Sequence, residues 1–139
     1  MSKDIRDGGC LCGAVRFTLD LADHHTGNCH CRDCQKNSGA PFMTFTDILA
    51  EQLTWTKELP KCLQTSKLAE RMFCGKCGTP LVWQGLDERE RISISTSTLD
   101  DPSGIDVTYE LYTQSRWPML QPIQGTTQYL KGSSDASTE

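Results

Sequence analysis

The chain has 139 residues, of which 37% are hydrophobic, and a formal net charge of −4. This length predicts one domain, and the absence of any run of about 18 apolar residues predicts no membrane span. Because an acidic surface repels phosphate groups, nucleic acid is not expected as a partner. The first seven residues lack the apolar stretch of a signal peptide, so we expect a cytoplasmic protein.

The elements predicted in chain order are nearly all β-strands, because short stretches alternate apolar and polar residues between turn signals. The first strand is expected over residues 14–21, followed by a polar turn over 23–28. A short helical turn is expected over 31–38. Further strands are predicted over residues 42–46, 53–55, 61–66, 69–73, 81–84, 92–96 and 107–112. The charge run 87–91 indicates an exposed hairpin loop, and the small polar residues 131–139 indicate a disordered tail.

Seven of the eight cysteines fall into three tight clusters. These are Cys10-x-Cys12, Cys29-x-Cys31-x-x-Cys34 and Cys74-x-x-Cys77. In a reducing compartment, clustered thiols usually bind metal rather than form disulfides. Two pairs make one closed four-thiolate site, and the remaining triple leaves one coordination position open. Three protein ligands with an open position are what distinguishes catalytic zinc from structural zinc.

The Cys74–Cys77 motif lies between glycines, which free the backbone to direct N–H groups toward the sulfurs. A thioredoxin-like redox pair is the alternative, but that motif opens a helix, whereas here Gly78-Thr79-Pro80 leads into a predicted strand. Such a turn supplies half of a tetrahedral site. Cys10 and Cys12 suit the other half, because residues i and i+2 of an extended segment point to the same face.

The Cys29–Cys34 cluster can direct three thiolates at one ion, and its fourth ligand is open to alternatives. Asp33 would be an unusual ligand beside soft thiolates. A closed site would need a distant residue: His24, His25 or Cys62. Another division pairs Cys29 and Cys31 with the Cys74 turn, leaving Cys10, Cys12 and Cys34 over, and spacing alone does not exclude it. Cys62 stands alone and is predicted to be a small buried apolar residue.

Taken together, the motifs resemble one family, the glutathione-dependent formaldehyde-activating enzymes, also called the centromere protein V/GFA domain family. The resemblance covers residues 8 to 122 and includes a softer match over Tyr109 to Pro122. The motifs that carry it are Gly9-Cys10-x-Cys12-Gly13, Cys29-His30-Cys31-x-x-Cys34 with Ser38-Gly39, and Phe73-Cys74-x-x-Cys77-Gly78-Thr79-Pro80-Leu81.

The resemblance implies an all-β fold, the β-tent, built of small zinc-stabilised antiparallel sheets. It implies a zinc-binding domain over residues 8–130, after an N-terminal arm of residues 1–7 and before the tail. It also implies two Zn²⁺ ions per chain. The structural zinc would be held by Cys10, Cys12, Cys74 and Cys77, and the catalytic zinc by Cys29, Cys31 and Cys34.

The function implied is that of a carbon–sulfur lyase-type enzyme acting on a small thiol–aldehyde adduct. The family's namesake condenses glutathione with formaldehyde to S-(hydroxymethyl)glutathione, so a thiol such as glutathione and an aldehyde are the expected partners. Glutathione carboxylates need cationic partners, for which Arg32, Lys36 and Arg116 are candidates. Two alternatives are a non-enzymatic zinc-stabilised binding module and a redox or metal-storage protein with reversible disulfides among Cys29, Cys31 and Cys34.

Overall fold

The structure is a computed structural model that describes residues 3–133. Within this range the chain forms eleven β-strands, one α-helix and three short 3₁₀ turns. The mostly β fold predicted from the sequence is therefore confirmed. The strands are β1 (Ile5–Gly9), β2 (Arg16–Asp20), β3 (His25–Cys29), β4 (Met43–Leu49), β5 (Leu53–Trp55), β6 (Lys61–Gln64), β7 (Ala69–Phe73), β8 (Pro80–Gly85), β9 (Arg91–Ser95), β10 (Tyr109–Leu111) and β11 (Thr127–Gln128). The helix α1 is Arg32–Ser38, and the 3₁₀ turns are Ala50–Gln52, Thr96–Thr98 and Thr113–Ser115.

The described chain divides into two compact units, each of which draws on two separate segments. The first unit comprises residues 3–24 and 46–103, and the second comprises residues 25–45 and 104–133. Residues 5–7 of the expected N-terminal arm lie in β1. Of the expected tail, residues 134–139 lie outside the described residues.

A small antiparallel sheet in the first unit has the strand order β1-β2-β5. On β2, Phe17 and Leu19 alternate with half-buried polar residues and are each only 1% exposed. The Phe17 ring meets Trp55 of β5 edge-on, with 5.8 Å between ring centroids. The apolar–polar alternation that predicted this strand therefore separates a buried face from a more accessible one.

The first unit also contains an antiparallel run of β9, β8, β7 and β6, in that spatial order. Its buried residues include Leu81 and Ile94, both fully buried, together with Ile48 from the second half of β4. The register between β7 and β8 shifts between Met72 and Phe73, immediately before Cys74. Such an irregularity bends a strand locally, and here it lies where the chain leaves the sheet for the cysteine turn.

The second unit corrects the expectation of a polar turn over residues 23–28. His25–Cys29 is strand β3, and it pairs in parallel with β10, which in turn pairs in parallel with β11. Thr26 and Asn28, the polar residues of β3 that are buried, both have hydrogen-bond partners, whereas His25 is exposed. The Asn28 side chain donates to Glu110 and accepts from Thr44 on the first half of β4. The expectation of antiparallel sheets did not include these two parallel pairs.

Cys62 is a second correction. It lies exposed on β6, the edge strand of its run, where all four residues are exposed. The prediction that Cys62 is a buried apolar residue was wrong, because an edge strand can leave both of its faces accessible to solvent.

Among the described residues, none of the helices has the length and apolarity needed to cross a bilayer.

Candidate metal centres

The first thiol group is formed by Cys10, Cys12, Cys74 and Cys77, whose sulfurs all lie within 4.8 Å of one another. The Cys10 and Cys12 sulfurs are 3.6 Å apart, and the Cys12 and Cys74 sulfurs are 3.8 Å apart. All eight cysteines are within the described range, and none forms a disulfide. Four free thiols at this spacing fit the donor set of a closed tetrahedral metal site.

Two similar glycine turns build this group. Gly78, with φ of 81°, donates its N–H to the Cys74 carbonyl at 2.8 Å, and Gly13, also with φ of 81°, donates to the Cys10 carbonyl at 3.2 Å. Both backbones enter the left-handed region that glycine tolerates without strain. Backbone N–H groups are thereby turned toward sulfur: those of Lys76 and Cys77 donate to Cys74 Sγ, each at 3.4 Å.

Thr79 joins the two halves of the four-thiol group. Its Oγ1 accepts the Leu11 N–H at 3.0 Å and lies 3.2 Å from Cys77 Sγ. Hydrogen bonding to Thr79 lowers the pKa of Cys77 to about 5. Burial opposes ionisation of Cys10, but the Val15 N–H and the thiols of Cys74 and Cys12 lower its pKa overall. The surroundings of these two sulfurs therefore favour thiolates, the form that binds metal.

The second thiol group is formed by Cys29, Cys31 and Cys34, again with all sulfurs within 4.8 Å. Cys29 is the last residue of β3, Cys31 is the N-cap of α1, and Cys34 lies in the first turn of that helix. The Cys31 sulfur accepts the Cys34 N–H at 3.3 Å. Cys29 and Cys34 are buried, whereas Cys31 is half-buried. The Cys31 side is therefore the accessible side of the group.

The three thiols of this second group need a nearby positive charge if they are to ionise together. The neighbouring thiols of Cys31 and Cys34, together with burial, raise the pKa of Cys29 far above its ordinary value. Three sulfurs this close ionise together only when a positive charge compensates their repulsion. The donor set is thus suited to a metal ion.

The grouping of four and three cysteines predicted from the sequence is confirmed. Among the described residues, the second group contains neither a histidine nor an acidic residue, and neither does the first. The structure therefore does not bring Asp33 or a distant residue into this group, and a three-thiol site remains the prediction. The division that paired Cys29 and Cys31 with the Cys74 turn is wrong.

Sequence reasoning missed a buried carboxylate next to the second group. Glu110 of β10 is 2% exposed, and five donors surround its carboxylate. Oε1 accepts from His30 Nε2 at 2.8 Å and Asn28 Nδ2 at 3.4 Å. Oε2 accepts from Arg116 Nη2 at 3.0 Å, Gln128 Nε2 at 3.0 Å and the Ile123 N–H at 3.1 Å. Its only signal in the sequence is a charge between Tyr109 and Leu111 in a short predicted strand.

The hydrogen bonds of Glu110 correct the role that was predicted for Arg116. Arg116, a candidate partner for a glutathione carboxylate, is bound instead to Glu110 and to the Gln128 side chain. Its side chain is only 13% exposed. Its charge is thus already compensated inside the second unit, and it does not fit the predicted role.

Arg32 and Lys36 remain accessible, on one face of α1. They border a cavity of about 210 Å³ whose wall also includes the exposed Trp117. The Arg32 guanidinium donates to the side chain of Gln35. The remaining lining residues are Gln35, Gly39 and Ala40. Two cations and an aromatic ring around a cavity suit a small anionic molecule.

The match to known families decides where this chain belongs. The family model described as glutathione-dependent formaldehyde-activating enzyme matches residues 5–115, most of the chain. The chain belongs to this family. Both cysteine groups, and every residue of the three motifs that suggested the resemblance, lie within the matched range.

Two proteins similar to this family member are informative. A Schizosaccharomyces pombe protein named as an uncharacterized lyase is 32% identical over 75 residues, 54% of this chain and 54% of its own. The chain thus matches about half the length of that curated relative. A crystal structure of a Rhodobacter sphaeroides protein is 21% identical, covers 72% of this chain and 90% of its own, and has a TM-score of 0.55. That likeness is one of fold.

Proposed function

We propose that this protein is a zinc-dependent carbon–sulfur lyase-type enzyme acting on a small thiol–aldehyde adduct, with glutathione and formaldehyde as the reference pair. One observation carries the proposal: Cys29, Cys31 and Cys34 converge, and among the described residues no fourth protein ligand joins them. Family membership and the lyase name of the S. pombe relative support the reaction class.

The two thiol groups would have different roles. Cys10, Cys12, Cys74 and Cys77 would close around a structural zinc, while Cys29, Cys31 and Cys34 would hold a catalytic one. When bound by three protein thiolates, zinc supplies an open position that can hold an incoming thiol as its thiolate near neutral pH. A cytoplasmic location suits this chemistry, because the ligand thiols stay reduced there.

The residues of α1 would orient the incoming thiol. Cys31 is the accessible ligand of the triple, and Arg32 follows it directly on the helix. Lys36 lies one turn further along the same face, at the cavity shared with Trp117. A thiol that carries carboxylates can therefore place its sulfur toward Cys31 and its negative charges toward Arg32 and Lys36. Glutathione is such a thiol.

The reaction itself is tested by metal analysis combined with exchange spectroscopy. We expect two zinc ions per wild-type chain, and one in Cys31→Ser with the fold intact. Exchange NMR of glutathione with formaldehyde should show faster equilibration with the wild type than with Cys31→Ser. Cys62→Ser is the matched control, because Cys62 is exposed and outside both thiol groups. If the wild type binds two zinc ions and yet equilibrates glutathione and formaldehyde no faster than Cys31→Ser does, the enzyme proposal is contradicted and a binding module is favoured.

The anionic-thiol part of the proposal has its own test. Arg32→Ala and Lys36→Ala should each raise KM for glutathione about two- to fivefold, because an exposed ion pair contributes at most about 1 kcal/mol. Zinc content and kcat should change little. Lys67→Ala removes an exposed charge from the first unit and is the control. Unchanged KM in both variants would show that these cations do not bind the thiol.

A further inference from the structure

His30, the single residue between Cys29 and Cys31, is hydrogen-bonded through both its backbone N–H and its backbone carbonyl. The His30 N–H donates to the Leu111 carbonyl at 3.0 Å, and its carbonyl accepts from Gln35 Nε2 at 2.7 Å. The His30 residue is 1% exposed, and its ring lies 5.1 Å from that of Phe42, centroid to centroid. The two thiols on either side of His30 are thus attached to a backbone that has little freedom to move.

The His30 side chain extends this restraint to Glu110. Nε2 donates to Oε1 at 2.8 Å, because an ionised carboxylate can only accept. Glu110 sits on β10 opposite Asn28 of β3, and the next pair in the register is Leu111 with Cys29. One strand therefore sets both the backbone register of Cys29 and the orientation of His30.

Glu110 is itself held firmly, because its second oxygen accepts from Arg116, Gln128 and the Ile123 backbone. Removing its charge would leave the Arg116 guanidinium, itself largely buried, without its carboxylate. A group so completely bound is a rigid support for the residue it orients. Outer-shell groups of this kind hold metal ligands in the geometry that the ion requires.

We infer that Glu110 is a positioning residue for the three-thiol group. Acting through His30, it holds Cys29 and Cys31 where they can bind a metal ion together with Cys34. This inference rests on the proposed metal site at these three cysteines. It assigns Glu110 no contact with substrate or with the ion.

The test uses the full chain loaded with Co²⁺, whose thiolate charge-transfer and d–d absorption reports the geometry of the sulfurs. Competition with a chromophoric chelator gives the affinity of each ion. The variants are Glu110→Gln, His30→Leu, which removes the donor to Glu110, and His30→Gln, which keeps an N–H donor. Glu70→Gln is the matched control, because Glu70 is an ion-paired carboxylate on a strand of the first unit.

We expect Glu110→Gln and His30→Leu to weaken binding of the second ion about 10- to 100-fold and to alter its absorption bands. His30→Gln should recover most of the affinity, and Glu70→Gln should match the wild type. The first ion, at the four-thiol group, should be unaffected in all variants.

Wild-type affinity and spectrum in Glu110→Gln and in His30→Leu would overturn this inference while leaving the proposed function standing. A wild-type chain that binds only one ion would overturn both. If Glu110→Gln does not fold, as judged by tryptophan fluorescence, the inference is tested by comparing the second-site affinity of His30→Leu with that of His30→Gln. Equal second-site affinity in those two variants would then overturn the inference.

Discussion

Glu110 is a buried carboxylate that its neighbours keep ionised. Burial alone would raise its pKa, but hydrogen bonds from His30, Gln128 and the Ile123 N–H lower the pKa to about 2, from an ordinary value of 4.5. Because the folded-state pKa is depressed, the associated stability is present above pH 4.5. It is lost as the pH falls through the folded-state value. The shift corresponds to about 3 kcal/mol.

The corresponding prediction concerns the Glu110 carboxyl carbon, whose ¹³C chemical shift reports ionisation. In the folded protein this shift should stay at its ionised position as the pH falls from 7 to 4. In the urea-unfolded chain the same carbon should titrate near the ordinary value of 4.5. A folded-state midpoint above pH 4 would contradict the assignment of Glu110 as a carboxylate stabilised by its donors.

At the scale of elements, α1 and β3 are too short to be stable alone and depend on their ends and partners. The helix α1 has seven residues, with Cys31 as its N-cap and Gly39, at φ of 68°, as its left-handed C-cap. Strand β3 depends on β10, against which Gly27 lies directly opposite Tyr109. A Cβ atom at Gly27 would come within 2.3 Å of the Tyr109 ring. The parallel pair therefore requires glycine at this position.

Gly27→Ala should lower the free energy of unfolding by about 1–3 kcal/mol, because the Tyr109 ring must move to admit the methyl group. Urea denaturation followed by circular dichroism measures the change. Gly85→Ala is the control, since its new Cβ would meet only Trp83 and Glu88 at 3.6 Å or more. Equal stability of the two variants would contradict the close packing of β3 on β10.

At the scale of the whole molecule, the two thiol groups make unequal contributions to folding. The four-thiol group joins residues 62 positions apart in the chain, as between Cys12 and Cys74, so a metal ion bound there would close a long loop. The three-thiol group uses residues within one short stretch of the second unit. A metal ion bound at the first group would therefore restrict the unfolded chain far more than one bound at the second group.

If Cys74 binds a structural zinc as proposed, Cys74→Ser should abolish cooperative thermal unfolding, because the loss of a structural metal ligand removes folding free energy. Cys34→Ser should lose one zinc ion and retain a cooperative transition. Circular dichroism melting with metal analysis on the same samples measures both, and Cys62→Ser again serves as the control. Wild-type melting of Cys74→Ser would show that the four-thiol group does not stabilise the fold.

Features that depend on local sequence could be predicted. Strands 53–55 and 69–73 were predicted with the bounds observed, because alternation along a strand is a property of neighbouring residues. The thiol clusters were recognised for the same reason, since their spacing already directs the sulfurs of each motif together. The resemblance carried by those motifs assigned the Cys10 and Cys74 pairs to one group, which the structure confirms.

The sequence by itself thus determined the β class, the cysteine groups and the family. Only the tertiary structure decided that β3 is a strand, that Glu110 binds His30 and Arg116, and that Cys62 is exposed. The physical reason is that burial of a polar residue depends on its partners. Glu110 lies 80 positions from His30 and 82 from Asn28, and no local pattern indicates that such groups will meet.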